Sequence, residues 1–241
     1  MLPQRINLIA YSTLAVIICY IDRVNISVAI IPMQEQFGWS DSQVGFIFSS
    51  FYLGYMLTMA LGGYLSDKFG GKRVLGWGVV LWSIFTILTP LAAHNGFFAL
   101  FFIRILMGIG EGVTFPAWHS LYARWIPFNE RTRAIAFTNS GVSIGTIIGY
   151  IGTQMIILAM GWEWAFYIFG IVGLVWFIFW NRNVTSYPNE HKRISAEELA
   201  YIQENAPSSE PAKKIPLRQL LVNKPFFCLL YTSDAADEWC C

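Results

Sequence analysis

Residues 63–73 read GYLSDKFGGKR, and their charges separate two stretches that contain no Asp, Glu, Lys or Arg, residues 42–66 and 74–93. Two further charge-free stretches follow, residues 134–162 and 164–181. At a rise of about 1.5 Å per residue, each is long enough to cross the hydrocarbon core of a bilayer, roughly 30 Å, as a helix. The composition agrees, since 55% of the residues are hydrophobic and 13% are charged, whereas soluble domains average about 45–50% and about 25%. The sequence therefore predicts an all-α polytopic membrane protein.

Hydropathy predicts six membrane-spanning helices, and the basic residues predict their orientation. The spans lie at about 6–31, 44–65, 74–93, 97–122, 135–159 and 163–181. Of the 16 Lys and Arg residues, all but Arg23 and Arg104 lie before span 1 or after spans 2, 4 and 6, and the loops on the other side contain none. The positive-inside rule then places the N-terminus in the cytoplasm.

The chain divides into three parts by composition. Residues 1–181 are expected to form the six-helix transmembrane bundle, and residues 182–227 a cytoplasmic loop that ends in the approach to a seventh span. This loop is expected to contain a short amphipathic helix that begins at Ser195, because Ser195 and Glu198 have the spacing of a capping box. Residues 228–241 resemble the translated read-through of a sequencing adapter, and we expect them to be an artefact.

Four charged residues lie inside the predicted spans: Asp22 and Arg23 in span 1, and Arg104 and Glu111 in span 4. A charge at the bilayer centre costs at least about 2.5–3.5 kcal/mol, so we expect these side chains to face the interior of the bundle and to have a function. Asp22 adjoins Arg23, and Glu111 follows Arg104 on the same face of its helix. The alternative is that they form static ion pairs that hold the bundle together.

The placement of these charges predicts anion transport coupled to a cation. Spans 1–3 and 4–6 would be two inverted three-helix repeats, and the charged helix is the first of each, so both would line a cavity near the midplane. Arginine suits an anion site because it stays ionised and offers a planar fork of donors. Asp22 and Glu111 can take up and release a proton. Asn25 in span 1 and Tyr52 in span 2 are further candidate substrate contacts.

The quoted segment resembles the cytoplasmic signature of the major facilitator superfamily, G-x-L-x-D-[RK]-x-G-x-[RK]-[RK], and fits it at every fixed position. We expect a tight turn in which Asp67, near a helix end, binds a basic residue in one conformation and releases it in another. The candidate residues of this conformational switch are Gly63, Asp67, Lys68, Gly70, Lys72 and Arg73.

Within that superfamily the sequence resembles the anion:cation symporter family. The resemblance rests on residues 20–29 (YIDRVNISVA), on residues 104–112 (RILMGIGEG) and on residues 115–117 (FPA). It implies that Asp22 and Glu111 are the proton-coupling carboxylates and that Arg23 and Arg104 serve substrate binding or the charge relay. Members of that family have twelve helices, so the resemblance also implies that this chain is an N-terminal half whose six-helix C-terminal half is missing.

These features predict a secondary transporter that moves an organic anion, a sugar acid such as a hexuronate or aldonate, together with a proton. The alternative is a carrier of inorganic phosphate or another small organic anion, with sodium as an alternative coupling ion. A membrane enzyme is a remote alternative, since no H-E-x-x-H motif and no zinc-type cysteine spacing occur. A net charge of +1 argues against nucleic acid as a partner, and we expect no cofactor. The expected location is the cell (cytoplasmic or inner) membrane, as a multi-pass protein.

Overall fold

The computed structural model of the protein describes residues 3–206, and the regular structure in this part of the chain is helical, without a strand. Its helices are α1 (Gln4–Phe37), α2 (Asp41–Phe69), α3 (Gly71–His94), α4 (Phe97–Glu111), α5 (Thr114–Trp125), α6 (Phe128–Met160), α7 (Trp162–Asn183) and α8 (Ala196–Asn205). A 3-10 turn, Pro188–Glu190, precedes α8. The expected approach to a seventh span and the expected artefact over residues 228–241 lie outside the described residues.

The helices confirm the predicted fold class. Five of them, α1, α2, α3, α6 and α7, correspond to predicted spans 1, 2, 3, 5 and 6, and α4 and α5 together correspond to span 4. Five segments of the described chain are long and apolar enough to cross a membrane, and a sixth is added when the two parts of α2 count as one span. These parts, Asp41–Met59 and Leu61–Phe69, are bent by 48° relative to each other.

Span 4 is one membrane-spanning segment, Phe97–Trp125, as predicted. Its regular helix has a local break between α4 and α5, where residues 112–113 form a turn. Glycine is a poor helix former, and glycines at 108 and 110 precede the break, while Gly112 lies in it. They also let α2 approach, since a Cβ atom at Gly108 would collide with the carbonyl oxygen of Phe51. The break therefore lies at a helix contact next to Glu111.

The helices pack in pairs that are related by exchange of the two predicted repeats. Span 1 packs against span 5 as α1 against α6, and span 4 packs against span 2 as α4 and α5 against α2. Spans 3 and 6 pack against each other as α3 and α7. Exchanging spans 1–3 with spans 4–6 leaves this set of pairs unchanged, as a two-fold axis requires. Equivalent helices, such as those of spans 1 and 4, are three membrane crossings apart, and an odd number of crossings reverses the direction of the chain. The second repeat therefore runs opposite to the first, which makes the repeats inverted.

Small residues set the distance between α1 and α6. Gly141, Gly145 and Gly149 are buried on one face of α6. A Cβ atom at Gly145 would lie 2.5 Å from the carbonyl oxygen of Ile17 in α1, so no larger residue fits there without a shift. Close approach of this kind is how helices associate in a membrane, where the hydrophobic effect between them is absent. It fixes α1, the helix that carries Asp22 and Arg23.

Gly70 alone makes the turn between α2 and α3. The signature segment is therefore less loop-like than expected, because residues 63–69 belong to α2 and residues 71–73 to α3. Helical hydrogen bonding continues up to the bond from the Gly70 N–H to the Ser66 carbonyl, 3.0 Å. The φ angle of Gly70 is 85°, a left-handed conformation that glycine adopts without strain. One residue is thus enough to reverse the chain.

A short helix, α8, lies where the sequence predicts one and contacts the start of α1. The Ser195 hydroxyl accepts a hydrogen bond from the Glu198 backbone N–H, 3.1 Å, which caps α8. The Glu198 carboxylate accepts the backbone N–H groups of Gln4 and Arg5, each at 3.0 Å. These N–H groups lie in the first turn of α1, where they lack partners within the helix. Glu198 therefore joins α8 to the bundle, while the predicted division into domains stays a prediction.

Candidate functional site

A buried ion pair joins α1 to α4 inside the bundle. The Arg23 Nη2 atom lies 3.0 Å from the Glu111 Oε2 atom, and the Arg23 Nε atom lies 3.2 Å from the same oxygen. The Glu111 side chain is fully buried, and that of Arg23 is 16% exposed. Because both nitrogens donate to one oxygen, the Glu111 Oε1 atom has no hydrogen-bond partner among the described residues. Glu111 therefore keeps one acceptor oxygen free inside the bundle.

Cys19 and three aromatic rings, those of Tyr20, Phe51 and Tyr55, surround this ion pair. The Cys19 thiol donates to the Glu111 Oε2 atom over 3.3 Å, and its sulfur accepts from the Arg23 Nη2 atom over 3.8 Å. The Arg23 guanidinium carbon lies 4.7 Å from the centroid of the Tyr55 ring and 5.2 Å from that of Phe51. Cation–π contacts are stronger where water is excluded. The rings therefore stabilise a charge that the bundle removes from solvent.

Arg104 is buried in α4 without a carboxylate partner among the described residues. It is 2% exposed. Its Nη1 atom donates to the Met107 sulfur over 3.2 Å, and its guanidinium carbon lies 4.9 Å from the centroid of the Phe51 ring. The Nε atom has no partner. Since a thioether is a weak acceptor, this guanidinium retains donors that no residue of the described chain satisfies.

Asp22 and Asn25 present unpartnered polar atoms on one face of α1. The two residues are three positions apart, which makes them neighbours on the helix surface, and both are fully buried. Both carboxylate oxygens of Asp22 and both amide atoms of Asn25 lack hydrogen-bond partners within the described chain. The indole nitrogen of Trp82 in α3 is a further buried donor without a partner in the described chain. Buried polar groups of this kind cost free energy unless an ion, a ligand or water satisfies them.

Tyr52 lies at the rim of this site. Its side chain is 55% exposed. Its ring meets the Phe51 ring edge-on, with 5.4 Å between the centroids. Phe51 contacts both arginines, so Tyr52 is linked to their guanidinium groups through the Phe51 ring.

The ion pair differs from the grouping that the sequence suggests, in which Glu111 shares a helix face with Arg104. Glu111 pairs with Arg23 of the other repeat and not with Arg104 of its own helix. Sequence reasoning did not identify three of the residues that contact the arginines, Cys19, Phe51 and Met107, and it considered Tyr55 only as a possible hydrogen-bonding partner of the substrate. Two of these had a usable signal, because Cys19 precedes Arg23 by four residues and Met107 follows Arg104 by three, and residues at these spacings touch on a helix. The predicted roles of the site residues stay predictions.

The signature segment forms a second polar cluster, near the turn between α2 and α3. The Asp67 Oδ1 atom lies 4.0 Å from Arg124 Nη2, at the end of α5. The Lys72 ammonium group donates to the Asn181 carbonyl oxygen at the end of α7, 3.0 Å. Lys68 lies over the aromatic rings of its own helix. The remaining signature residues, Gly63 and Arg73, have no polar contact in the described chain beyond backbone bonds.

The sequence of the chain decides the family. Residues 12–234 match the profile of the Major Facilitator Superfamily. The chain belongs to the Major Facilitator Superfamily. The signature segment and the inverted repeats are features of this superfamily fold, as the resemblance in the sequence implied.

Three curated relatives from plants show which members of the Major Facilitator Superfamily the chain is similar to. "Probable anion transporter 4, chloroplastic" of Oryza sativa subsp. japonica is 43% identical over 237 residues. "Sodium-dependent phosphate transport protein 1, chloroplastic" and "Ascorbate transporter, chloroplastic", both of Arabidopsis thaliana, are each 42% identical, over 228 and 237 residues. The matches cover 95–98% of this chain and 40–45% of the relatives. The chain therefore spans less than half the length of these relatives.

Solved structures of the Major Facilitator Superfamily show the same fold. The proton:xylose symporter XylE bound to 6-bromo-6-deoxy-D-glucose superposes with a TM-score of 0.75 at 19% identity, over 90% of this chain and 56% of that one. A bacterial homologue of the human lysosomal transporter Spinster, inward-facing and occupied, superposes with a TM-score of 0.67 at 24% identity, over 78% of this chain and 46% of that one. At these identities the likeness concerns the fold alone.

The relatives correct the expected location. The sequence led us to expect the cell membrane, and this expectation is wrong, because the similar curated proteins are chloroplastic. Basic residues in the loops report only which side of a membrane each loop occupies. The charge pattern carries no information on which membrane the protein occupies, so it could not have predicted the chloroplast.

Proposed function

We propose that the chain forms the N-terminal six-helix half of a secondary transporter that moves a small anion across a chloroplast membrane. The substrate that we favour is inorganic phosphate, with another small organic anion, including a sugar acid, as the second candidate. Support for this order comes from the relatives, one of which is named as a sodium-dependent phosphate transport protein and another as an ascorbate transporter.

The observation that carries the anion proposal is the environment of Arg104. A guanidinium that is 2% exposed inside a membrane bundle is costly without a counter-charge. Arg23 has Glu111, but no carboxylate pairs with Arg104 among the described residues. A bound anion would supply that counter-charge and accept the donor that the Nε atom retains. Phosphate and carboxylate both have oxygen pairs that match a guanidinium fork.

The coupling cation is proposed to act on the carboxylates. The Glu111 Oε1 atom and both oxygens of Asp22 are buried acceptors without partners in the described chain. A proton or a sodium ion bound there would neutralise the carboxylate. At Glu111 this would weaken the attraction for Arg23 and release a second guanidinium for the anion. Cation binding and anion binding would then favour each other, which is the requirement for symport.

A carrier is proposed in preference to an enzyme. Residues 141–145 read GVSIG, which has the G-x-S-x-G spacing of some hydrolases. That motif acts at a sharp turn between a strand and a helix, whereas Ser143 lies within the continuous helix α6. In the described chain Ser143 also has no hydrogen bond to a histidine. This serine therefore lacks the geometry of a nucleophile.

Uptake into proteoliposomes by the product of the complete open reading frame tests the proposal. Phosphate, ascorbate and a hexuronate are offered with proton and sodium gradients imposed separately. Arg104→Lys keeps the charge but loses the planar fork, and it should weaken substrate binding about 10- to 150-fold, as expected for one charge-assisted contact of about 1.5–3 kcal/mol. Arg133→Lys, at an exposed position, is the matched control. No gradient-driven uptake of any anion would refute the proposal, and an unchanged apparent affinity in Arg104→Lys would remove Arg104 from the site.

A further inference from the structure

A cavity of about 700 Å³, lined in part by charged and polar residues, lies at the end of the bundle where α1 and α3 begin and α7 ends. It is distinct from the ion-pair site, since Tyr11 in its wall precedes Arg23 by 12 residues on α1, or about 18 Å. Its polar wall is well ordered by hydrogen bonds. The Asn183 amide donates to the Tyr11 hydroxyl over 2.9 Å, and the Lys72 ammonium donates to the Asn181 carbonyl over 3.0 Å.

The charge of this cavity is strongly positive. Four basic residues line it, against one acidic residue, Glu190, which leaves an excess of three positive charges (4 minus 1). The four are Lys72, Arg182, Lys192 and Arg193. None of them forms an ion pair within residues 3–206. Basic loops are usual on this side of a membrane protein, but their convergence on one cavity with polar walls is an arrangement suited to an anion.

The surface next to the cavity indicates where that anion comes from. On α7, Val175, Ile178 and Phe179 are 45%, 49% and 52% exposed, and they form one apolar stripe at helical spacing. Arg182 follows Ile178 by four residues and Phe179 by three, so it continues the same face. An apolar stripe that leads into a basic cavity matches a molecule with acyl chains and an anionic headgroup.

We propose that this cavity binds the phosphate or sulfonate headgroup of an anionic membrane lipid, whose acyl chains lie along the exposed stripe of α7. The proposal does not depend on the transported substrate. A soluble phosphate ion shares the headgroup chemistry, but it would gain nothing from the apolar stripe. The lipid would join the ends of α1, α3 and α7 at the membrane surface.

Native mass spectrometry of the purified 241-residue chain in detergent tests this proposal with three probes. These are phosphatidylglycerol, phosphatidylcholine with the same acyl chains, and inorganic phosphate. The chain is expected to retain phosphatidylglycerol in preference to phosphatidylcholine. Arg182→Gln with Arg193→Gln should lower the affinity for phosphatidylglycerol about 100-fold or more, since each removes a charge-assisted contact to the headgroup that contributes about tenfold or more. Lys192→Gln alone should lower it about tenfold, which provides a second test should the double variant misfold.

The control variant removes two exposed charges outside the cavity, Arg73→Gln with Arg133→Gln. It should leave the preference for phosphatidylglycerol unchanged. An equal loss of lipid in the control would show that general surface charge is responsible, and the proposal would fail. It would also fail if inorganic phosphate bound to the unaltered chain and was lost in the cavity variants while the two lipids bound alike, because the ligand would then be a soluble anion.

Discussion

At the scale of single residues, the two arginines of the site differ in what opposes their charge. Arg23 donates twice to Glu111, while Arg104 has a thioether sulfur and the face of an aromatic ring. An ion pair that can open and a guanidinium that lacks a counter-charge are complementary parts of a coupled site. In the proposed mechanism, Arg23 would respond to the cation and Arg104 would bind the anion. This difference leads to separate predictions for the two halves of the site.

Glu111→Gln is expected to abolish gradient-driven accumulation while sparing counterflow exchange. Glutamine keeps the shape of the side chain but cannot take up a proton, and exchange of one anion for another does not require the coupling proton to be released. The measurement compares gradient-driven uptake with exchange in proteoliposomes that contain the product of the complete open reading frame. Accumulation at the unaltered level would assign coupling to another group, with Asp22 as the next candidate.

Cys19 is expected to support the ion pair through its thiol. Cys19→Ala removes the hydrogen bond to Glu111 Oε2 and the acceptor for Arg23, whereas Cys19→Ser keeps a donor of similar size. A hydrogen bond to a charged group contributes about 1.5–3 kcal/mol, and a thiol lies at or below the low end of this range. Gradient-driven uptake should therefore fall about tenfold or less in Cys19→Ala and stay near normal in Cys19→Ser. Equal uptake by both variants would show that the thiol only fills space.

The sequence is sufficient to find the four buried charges, because each stands out in an apolar span. It cannot assign their partners. Arg23 and Glu111 are 88 residues apart, and their contact depends on how two helices pack. The cation–π contacts of Phe51 and Tyr55 with Arg23 could not be predicted for the same reason, because the sequence does not distinguish an aromatic ring that contacts a cation from one that only packs in the span.

At the scale of elements, the turn between α2 and α3 depends on one residue. Gly70→Ala should lower the thermal unfolding midpoint of the detergent-solubilised chain, because φ is 85° and ψ is 134°, a backbone conformation that costs about 1–3 kcal/mol for a residue with a Cβ atom. That Cβ would also lie 2.9 Å from the Ser186 hydroxyl oxygen. Gly63→Ala is the matched control, since this glycine is helical and nothing lies within 4 Å of its Cβ position.

The control should leave the midpoint unchanged or raise it, because alanine favours a helix over glycine by about 1 kcal/mol. Tryptophan fluorescence suits the measurement, as the sequence contains 10 tryptophans. If both variants melted at the same temperature, the turn would not require a left-handed residue. The signature predicts that the chain reverses there. It does not predict that α2 continues to Phe69, because the motif does not show which backbone hydrogen bonds form.

At the scale of the whole molecule, the repeat symmetry explains why the charged helices meet. Exchange of the repeats maps α1 onto span 4, and the ion pair between Arg23 and Glu111 joins these two equivalent helices. Charge patterning and hydropathy predict the six spans and the two repeats well. They do not predict the break after Glu111 or the contact of α8 with α1, because both depend on packing between distant segments.

We expect that the 241-residue chain does not accumulate any anion by itself. In carriers built from two halves, the substrate site lies between the halves near the midplane, and one half rocks against the other. This chain spans 40–45% of the length of its plant relatives. Its substrate-facing residues, including Tyr52 at the rim, would then lack an opposing wall.

The measurement is gradient-dependent uptake of phosphate and ascorbate into liposomes that contain only this chain, with empty liposomes and the product of the complete open reading frame as controls. Binding of labelled phosphate is expected to be weak as well, because the arginines of one half supply only part of the anion's contacts. Uptake above that of empty liposomes would contradict the prediction. It would indicate that two copies of the chain assemble around one site, with the second copy taking the place of the missing half.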